Sequence, residues 1–341
     1  MIKSKREPNF ENLLKVLKKE RPDRPTLFEF FMNDTIYNML TEGEFAPKGD
    51  GYDYMRQRVL AYKNAGYDYC VLPGCDFNFP REQIERSSTI SLNEGCVITD
   101  RESYEKYKWP NPDDYDYSRL TVLKECLPEN FKLVCQSPAG GILESTIALV
   151  GYDNLCVMTY DDPELVKLIF DEIGSRLLKY YETVVEYDTV GAIISNDDWG
   201  FNMQTMLSTD DMRKFVFPWH KKIAETAHKK NKPVILHSCG NAEKIEDDII
   251  NDMKFDGKHS YEDKILPVEQ AYERYKGKLA VMGGLDVDFI CRKTPEEIYD
   301  RAKAMLERSE ECGGYALGTG NSVPEYVPHE KYFAMIKAAI E

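Results

Sequence analysis

The sequence predicts an α/β protein whose strands close into a (β/α)₈ barrel of the TIM type. Eight short apolar segments alternate with helical patterns along the 341 residues, which is typical of parallel strands joined by helical crossovers. The ends of the later segments are polar or glycine-rich, as expected for the catalytic rim of a barrel. An open doubly wound sheet is the alternative. It requires a glycine-rich phosphate loop after the first strand, and the first segment, FEFFMNDTIY, contains no glycine.

Each predicted strand is a short apolar run that stops at a polar or turn-forming residue. The run from Val234 to Leu236 has no polar alternation, so we interpret it as a strand buried on both faces. The later ends are similar, with Gly283-Gly284 after one strand and Gly318 after the last. The eight predicted strands are 26–32, 68–73, 131–136, 192–194, 234–236, 255–259, 279–282 and 315–317.

Apolar residues recur at helical spacing between these strands. Pro163-Glu164 is typical of a first helical turn, and Ser208 with Asp211 of an N-cap. The predicted helices are 8–20, 35–41, 52–65, 113–127, 162–186, 208–230, 242–252 and 328–340. The first of them lies in a helical extension over residues 1–25, and the chain 1–341 is predicted to be one domain. Loops that determine pocket specificity are predicted at 33–55, 74–111 and 138–160, with short strand pairings within 77–111.

The composition argues against several kinds of partner. Lys and Arg number 44 against 59 Asp and Glu, so the net charge is −15, which would repel a nucleic-acid backbone. No stretch is long and apolar enough to cross a membrane. The N-terminus, MIKSKREPNFENLL, does not enter an apolar signal core, so we expect a cytoplasmic location. The nine cysteines include no C-x-x-C pair and are too sparse for a disulfide scaffold.

The sequence His237-x-Cys239 follows the fifth predicted strand and is the strongest chemical signal. Residues i and i+2 of an extended segment point to the same side, so the imidazole and the thiol can aim at one point. Zinc prefers these two ligand types, and it needs one or two more. A core-facing histidine beside an inert buried cysteine is the alternative interpretation. The candidates for further ligands are Asn321, Glu262, Asp286 and Cys75.

Polar residues fall at most of the later strand ends, which meet at one face of a barrel, where active sites form. Asp197 and Asp198 are adjacent, so we expect only one of them to face the pocket. That carboxylate could orient a metal-bound histidine, bind a cationic ligand, or act as a general acid or base. Each residue taken alone has a structural interpretation, and an Asp at a strand–helix junction is more often a cap or turn residue than a catalyst. The residues at this rim are Asp197, Asp198, His237, Cys239, His259, Glu262, Asp286 and Asn321.

Four ordered segments carry a family resemblance: IISNDDWGFNMQTMLSTDDMRKFVFPWHKKIAETAHKKNKPVILHSCGN, VMGGLDV, TPEEI and GGYALGTGNSVPEYVPHEKYFAMI. They resemble the uroporphyrinogen decarboxylase superfamily, and more specifically its branch of cobamide-dependent methyltransferases. The resemblance implies a (β/α)₈ barrel. It disfavours porphyrinogen decarboxylation, because the decarboxylases hold their substrate with an Arg-rich segment and residues 33–37 here contain no arginine. The histidine of their last Gly-His-Gly loop is Asn321 here.

The methyltransferase branch binds zinc through His-x-Cys and a later cysteine, which implies His237 and Cys239 as ligands here. Asn321 stands at the position of the later cysteine, so the third ligand is expected from Glu262, Cys75 or Asp286. Asp198, with Asp286 as a helper, is the implied catalytic pair that orients the substrate. The expected substrate contacts are Asp197, Trp199, His259 and Asn321.

The resemblance thus implies a zinc-assisted methyltransferase. It would move a methyl group between a small O- or N-methylated compound, or a thiol acceptor, and a corrinoid (cobalamin) carried by a partner protein. Two alternatives stay open: a uroporphyrinogen decarboxylase-like lyase that acts on a carboxylated substrate, and a non-catalytic barrel that binds a small ligand at its mouth. A homodimer is also open.

Overall fold

The structure, a computed structural model, describes residues 3–81 and 92–341. Within these residues, seven parallel strands form one sheet in which each strand pairs with its neighbours in sequence. Sequential parallel order with helical crossovers is the arrangement of a TIM barrel, as predicted. The strands are β1 (Tyr69–Pro73), β2 (Lys132–Gln136), β3 (Val190–Asn196), β4 (Val234–His237), β5 (Gly257–His259), β6 (Ala280–Met282) and β7 (Tyr315–Ala316).

The predicted first strand, 26–32, occupies the eighth position of the barrel but does not form a regular strand. Isolated parallel bridges join Leu27 to Leu317 and Met32 to Val323, beside β7. On its other side a side chain replaces the backbone ladder, because the Tyr69 hydroxyl of β1 accepts from Glu29 N at 2.7 Å and donates to Glu29 O at 3.1 Å. The prediction of eight regular strands is therefore wrong by this one segment.

Most predicted helices are present with small changes in their ends. The predicted first helix, 8–20, is α1, and the helix at 162–186 is α8, whose Asp162 side chain accepts from Leu165 N at 3.1 Å. The α-helices are α1 (Glu11–Leu17), α2 (Asp34–Thr41), α3 (Asp53–Ala65), α4 (Arg101–Lys106), α5 (Arg119–Val122), α6 (Ile142–Val150), α7 (Tyr152–Asp161), α8 (Pro163–Val184), α9 (Thr209–Asp211), α10 (Phe217–Lys229), α11 (Val268–Tyr275), α12 (Val287–Arg292), α13 (Pro295–Ser309) and α14 (His329–Ile340).

The prediction of a loop over 138–160 is wrong, because this segment forms α6 and α7. Helix α6 is buried on nearly all sides, so its sequence lacks the polar face by which an amphipathic helix is recognised. Gly151 separates the two helices with φ of +86°, and a Cβ at this position would lie 2.7 Å from the Cys96 sulfur.

Three further predictions need correction or stay undecided. The helix predicted over 113–127 is broken into short turns around α5, where the Asp116 carboxylate accepts from Ser118 N at 2.8 Å and competes with helical bonding. The helix predicted over 242–252 is a 3₁₀ turn, Glu243–Ile245, followed by a π turn, Asp248–Asp252. Of the predicted loop 77–111, residues 82–91 lie outside the described part, and the rest contains α4.

Candidate metal centre at the mouth of the barrel

Three side chains converge where β3 and β4 end. Ligand atoms of Asp198, His237 and Cys239 all lie within 4.8 Å of one another, and the Cys239 Sγ is 3.9 Å from Nε2 of His237. The register explains the meeting: Asn196 pairs with His237 across the two strands, so Asp198 and Cys239 each follow that pair by two residues. The Cys239 N–H donates to Asp198 Oδ1 at 2.9 Å, which holds the two turns together.

The donor set fits zinc. Zinc bonds of about 2.0 Å to imidazole nitrogen and about 2.3 Å to sulfur bring two donors on one ion within about 4.5 Å of each other, close to the spread seen here. Burial raises the pKa of the Cys239 thiol to about 12, with the Asp198 carboxylate as the second cause. A thiolate at this position therefore requires a cation. A divalent metal ion bound here would supply the positive charge that stabilises the thiolate.

Two neighbouring side chains donate to the Cys239 sulfur. Asn321 Nδ2 lies 3.3 Å and Ser260 Oγ 3.6 Å from Sγ. Asn321, which was predicted to contact substrate, thus turns its amide N–H toward the sulfur. Donors of this kind stabilise a thiolate and lower its charge density.

His259 lies behind His237 in the interior of the barrel. It is fully buried, and its Nδ1 is 2.8 Å from Nδ1 of His237 while its Nε2 is 3.1 Å from the Thr319 carbonyl oxygen. Burial lowers the pKa of His259 to about 3 and that of His237 well below its usual value, so both rings are neutral. His259, which is predicted to contact substrate, is therefore placed where its ring supports the side chain of His237.

Asp197 and Trp199, both predicted to bind substrate, lie in the interior. The Asp197 carboxylate is fully buried and accepts from Leu143 N, Glu144 N, the Trp199 indole and the His220 ring, at 2.9 to 3.0 Å. It therefore fastens the start of α6 to the end of β3. The expectation that only one carboxylate of the pair faces the mouth agrees with this placement: Asp198 faces His237 and Cys239, and Asp197 turns inward.

Asp286 caps a helix and also lines a cavity of about 330 Å³ at the rim. Its two oxygens accept from Phe289 N at 2.9 Å and Asp263 N at 2.8 Å, at the start of α12. Each oxygen thus holds one backbone N–H, and the role of Asp286 as a catalytic helper stays a prediction. Cys75 is also fully buried, and it is not part of the group of converging ligands.

Glu262 was also a candidate for the third ligand. It lies at the rim, outside the group formed by Asp198, His237 and Cys239. Burial raises the pKa of its carboxyl, and the Asp286 and Asp198 carboxylates add to the effect. Glu262 and Tyr261 line two adjacent cavities of about 260 Å³ and 330 Å³. Asp198, which is predicted to be catalytic, therefore lies in the converging group, where the third candidate ligand was expected to be Glu262, Cys75 or Asp286.

Two ionisable residues near the site are not identified by any sequence pattern. Lys258 of β5 is 4% exposed, lines the smaller cavity and donates to Ser260 O at 2.7 Å; burial lowers its pKa to about 8. Burial, followed by repulsion from Asp197 and Asp198, raises the pKa of Glu144 to about 8. No sequence signal marks Lys258, since it stands inside a strand. Glu144 lies in the helix that was predicted as loop.

Parallel strands arranged as a barrel, with a candidate metal centre at their C-terminal ends, define a TIM-barrel protein with its site at the usual catalytic face. The chain belongs to the uroporphyrinogen decarboxylase (URO-D) family, whose model matches residues 55–341. The predicted family resemblance is thereby confirmed. Within residues 3–81 and 92–341, the longest and most apolar helices still fall short of what a membrane span requires.

Individual relatives carry two different names. The chain is 23% identical over 177 residues to a "Methylated-thiol--coenzyme M methyltransferase" of Methanosarcina mazei, an alignment that covers 52% of this chain and 46% of that protein. It is 25% identical over 193 residues to a "Uroporphyrinogen decarboxylase" of Anaeromyxobacter dehalogenans, covering 55% and 51%. The chain thus spans about half the length of these curated relatives. Similar identities to both do not separate the two activities.

A solved structure extends the likeness to the whole fold. A "methyltransferase from Methanosarcina mazei" superposes with a TM-score of 0.68 over 98% of each chain, at 19% sequence identity. At this identity the likeness establishes the shared barrel fold. The activity has to be argued from the site.

Proposed function

We propose that this protein is a zinc-assisted methyltransferase. It would move a methyl group between a small O- or N-methylated compound, or a thiol acceptor, and a corrinoid held by a partner protein. The observation that carries the proposal is the convergence of Asp198, His237 and Cys239 within 4.8 Å at the mouth of the barrel. The methyltransferase name of one relative supports the same direction.

The three converging side chains would hold the ion, and zinc so bound would act as a Lewis acid on the heteroatom that carries or receives the methyl group. Ser260 and Asn321 donate to the Cys239 sulfur and so temper its charge. His237 and Cys239 lie at the end of a buried strand, so the ligand set is rigid and tolerates little rearrangement.

The substrate would occupy the cavity of about 260 Å³ beside the cluster. Gly240, which follows Cys239, lines this cavity together with Lys258, Tyr261 and Glu262. Its wall carries basic and acidic side chains together: Lys258 and Arg274 beside Glu243, Glu246 and Glu262. A small polar methylated compound could be oriented there while its methyl group stays accessible to the partner's corrinoid.

Metal content gives the direct test. We expect the full chain, purified without chelator, to hold about one zinc per molecule by elemental analysis, and His237→Ala and Cys239→Ser to hold far less. Cys312→Ser is the matched control, since Cys312 is exposed, and it should keep the wild-type content. Methyl transfer to a corrinoid protein should fall with the zinc content. Wild-type protein without zinc, or His237→Ala with unchanged transfer, would contradict the proposal.

The second candidate is a decarboxylase-like lyase, which the names of several relatives favour. The first loop argues against it: Asn33 caps α2 by accepting from Ile36 N at 2.9 Å, and residues 33–37 contain no arginine to bind a polycarboxylate. Turnover of a porphyrinogen by the purified chain would favour this candidate over the methyltransferase.

A further inference from the structure

A chain of buried hydrogen bonds runs inward from the candidate metal centre. Nδ1 of His237 is 2.8 Å from Nδ1 of His259, and Nε2 of His259 is 3.1 Å from the carbonyl oxygen of Thr319. The Thr319 hydroxyl donates to Glu29 Oε1 at 2.7 Å, and its N–H to Oε2 at 3.3 Å. His259, Thr319 and Glu29 are fully buried and His237 is 7% exposed, so this relay is shielded from solvent.

The acceptor at the inner end determines where the protons are. A carbonyl oxygen can only accept, so Nε2 of His259 must carry a hydrogen. A neutral imidazole has one N–H, and Nδ1 of His259 is therefore the acceptor in the contact between the two rings. Nδ1 of His237 must then donate, which leaves Nε2 of His237 without a hydrogen. This Nε2 is the atom that lies 3.9 Å from the Cys239 sulfur.

The residues around His259 hold its imidazole ring in one orientation. The Thr319 oxygen also accepts from Gly284 N at 2.9 Å, so both of its lone pairs are taken. Phe28 packs edge-on against His259, with ring centroids 5.1 Å apart, and Phe30 stacks on His237 at 4.3 Å. A Cβ at Gly283 would come within 3.0 Å of the His259 ring, so the backbone is close on that side as well.

We propose that His259 is a positioning residue that locks His237 in the tautomer whose Nε2 lone pair faces the metal position, with Thr319 and Glu29 as its anchor. The inference rests on the proposed metal role of His237. It adds to that role a reason why the ligand needs no proton transfer or ring rotation before it binds an ion. Partners of this kind behind a metal-bound histidine raise metal affinity by fixing the orientation of its ring.

The first test reads the tautomers directly in the wild-type chain. The protein has five histidines, so histidine-selective ¹⁵N labelling gives a spectrum that single substitutions can assign. After dialysis against chelator, long-range ¹H–¹⁵N correlations should show His237 protonated at Nδ1 and His259 protonated at Nε2. Protonation of His237 at Nε2, or of His259 at Nδ1, would overturn the proposal whether or not the protein binds zinc.

The second test uses two amides that imitate different halves of an imidazole. His259→Asn keeps an acceptor near the Nδ1 position, whereas His259→Gln places its polar end near Nε2 and removes that acceptor. We expect zinc affinity, measured by competition with a chromophoric chelator, to fall about 10- to 100-fold in His259→Gln and less than about 3-fold in His259→Asn. Equal losses in the two variants would overturn the positioning role.

The control is His228→Gln. His228 bonds to Asp256 at 2.8 Å, and Asp256 also accepts from Val234 N at the opposite end of β4. This variant should bind zinc as the wild type does. Absence of zinc from the wild type would refute the proposed function. The tautomers of His237 and His259 would then still decide whether His259 positions His237. A failure of His259→Gln to fold leaves the wild-type spectrum as the deciding measurement.

Discussion

The carboxyl of Glu29 should make the stability of this protein fall as the pH rises, and Glu29→Gln should remove that effect. The side chain is fully buried, and burial raises its pKa from an ordinary 4.5 to about 8, with the hydrogen bonds from Thr319 offsetting only part of the cost. Glutamine keeps the shape of the side chain and an acceptor for the Thr319 hydroxyl, but it cannot ionise.

The size and sign of the effect follow from proton linkage. Because the pKa is higher in the folded chain than in the unfolded chain, the folded state binds more protons between pH 4.5 and about 8. The stabilisation is fully present below pH 4.5 and is lost as the pH rises through 8. At about 1.4 kcal/mol per pH unit, the free energy of unfolding falls by roughly 4–5 kcal/mol in total. Above about pH 8 the carboxyl is ionised in the folded chain as well.

The assay compares urea unfolding of wild type and Glu29→Gln at intervals from pH 5 to pH 9, in chelator so that metal binding contributes to neither. Other titrating groups are common to both chains and cancel in the difference. The free energy of unfolding of wild type minus that of the variant should fall by roughly 4 kcal/mol over this range. Glu330→Gln, at an exposed site, reports the effect of removing one charge. A difference independent of pH would refute the reasoning.

Three other outcomes are expected. Asp198→Asn should weaken zinc binding at least about 10-fold, whereas Glu262→Gln should change it less than about 3-fold because Glu262 lies outside the converging group; equal effects in a chelator competition would contradict this assignment. Asp197→Asn should lower the free energy of unfolding by about 2–4 kcal/mol, since an amide cannot accept all four N–H bonds made to the buried carboxylate; a melting temperature equal to that of wild type would count against it. Gly318→Ala should cost about 3 kcal/mol or prevent folding, because a Cβ there would lie 1.7 Å from the carbonyl oxygen of Phe28. Soluble Gly318→Ala with an unchanged melting temperature would mean that the first segment and β7 are not in close contact.

Local patterns in the sequence were enough to predict the barrel and two of the three converging side chains, His237 and Cys239. The apolar run of β4, buried at every position, was recognisable because a strand covered on both faces lacks polar alternation. The spacing of His237 and Cys239 was informative for a similar reason, since the geometry of a single extended segment places both side chains on one side. Each of these features depends on residues that are neighbours in the chain.

The remaining features came only from the tertiary structure. Asp198 completes the candidate metal centre because β3 and β4 pair with Asn196 opposite His237. This strand register cannot be predicted from the sequence pattern of either strand. The choice between Asp197 and Asp198 depends on four donors from distant segments that hold Asp197 inside. Segment 26–32 and helix α6 were misjudged because contacts with other parts of the chain, and not their own periodicity, decide their form.

The sequence alone therefore determined the fold class and the pairing of an imidazole with a thiol, since backbone geometry sets the direction of side chains within a segment. Only the tertiary structure decided which third ligand meets them and which ring lies behind His237. Those contacts join residues 41 and 22 positions apart, and their partners are selected by packing and hydrogen bonding across the barrel.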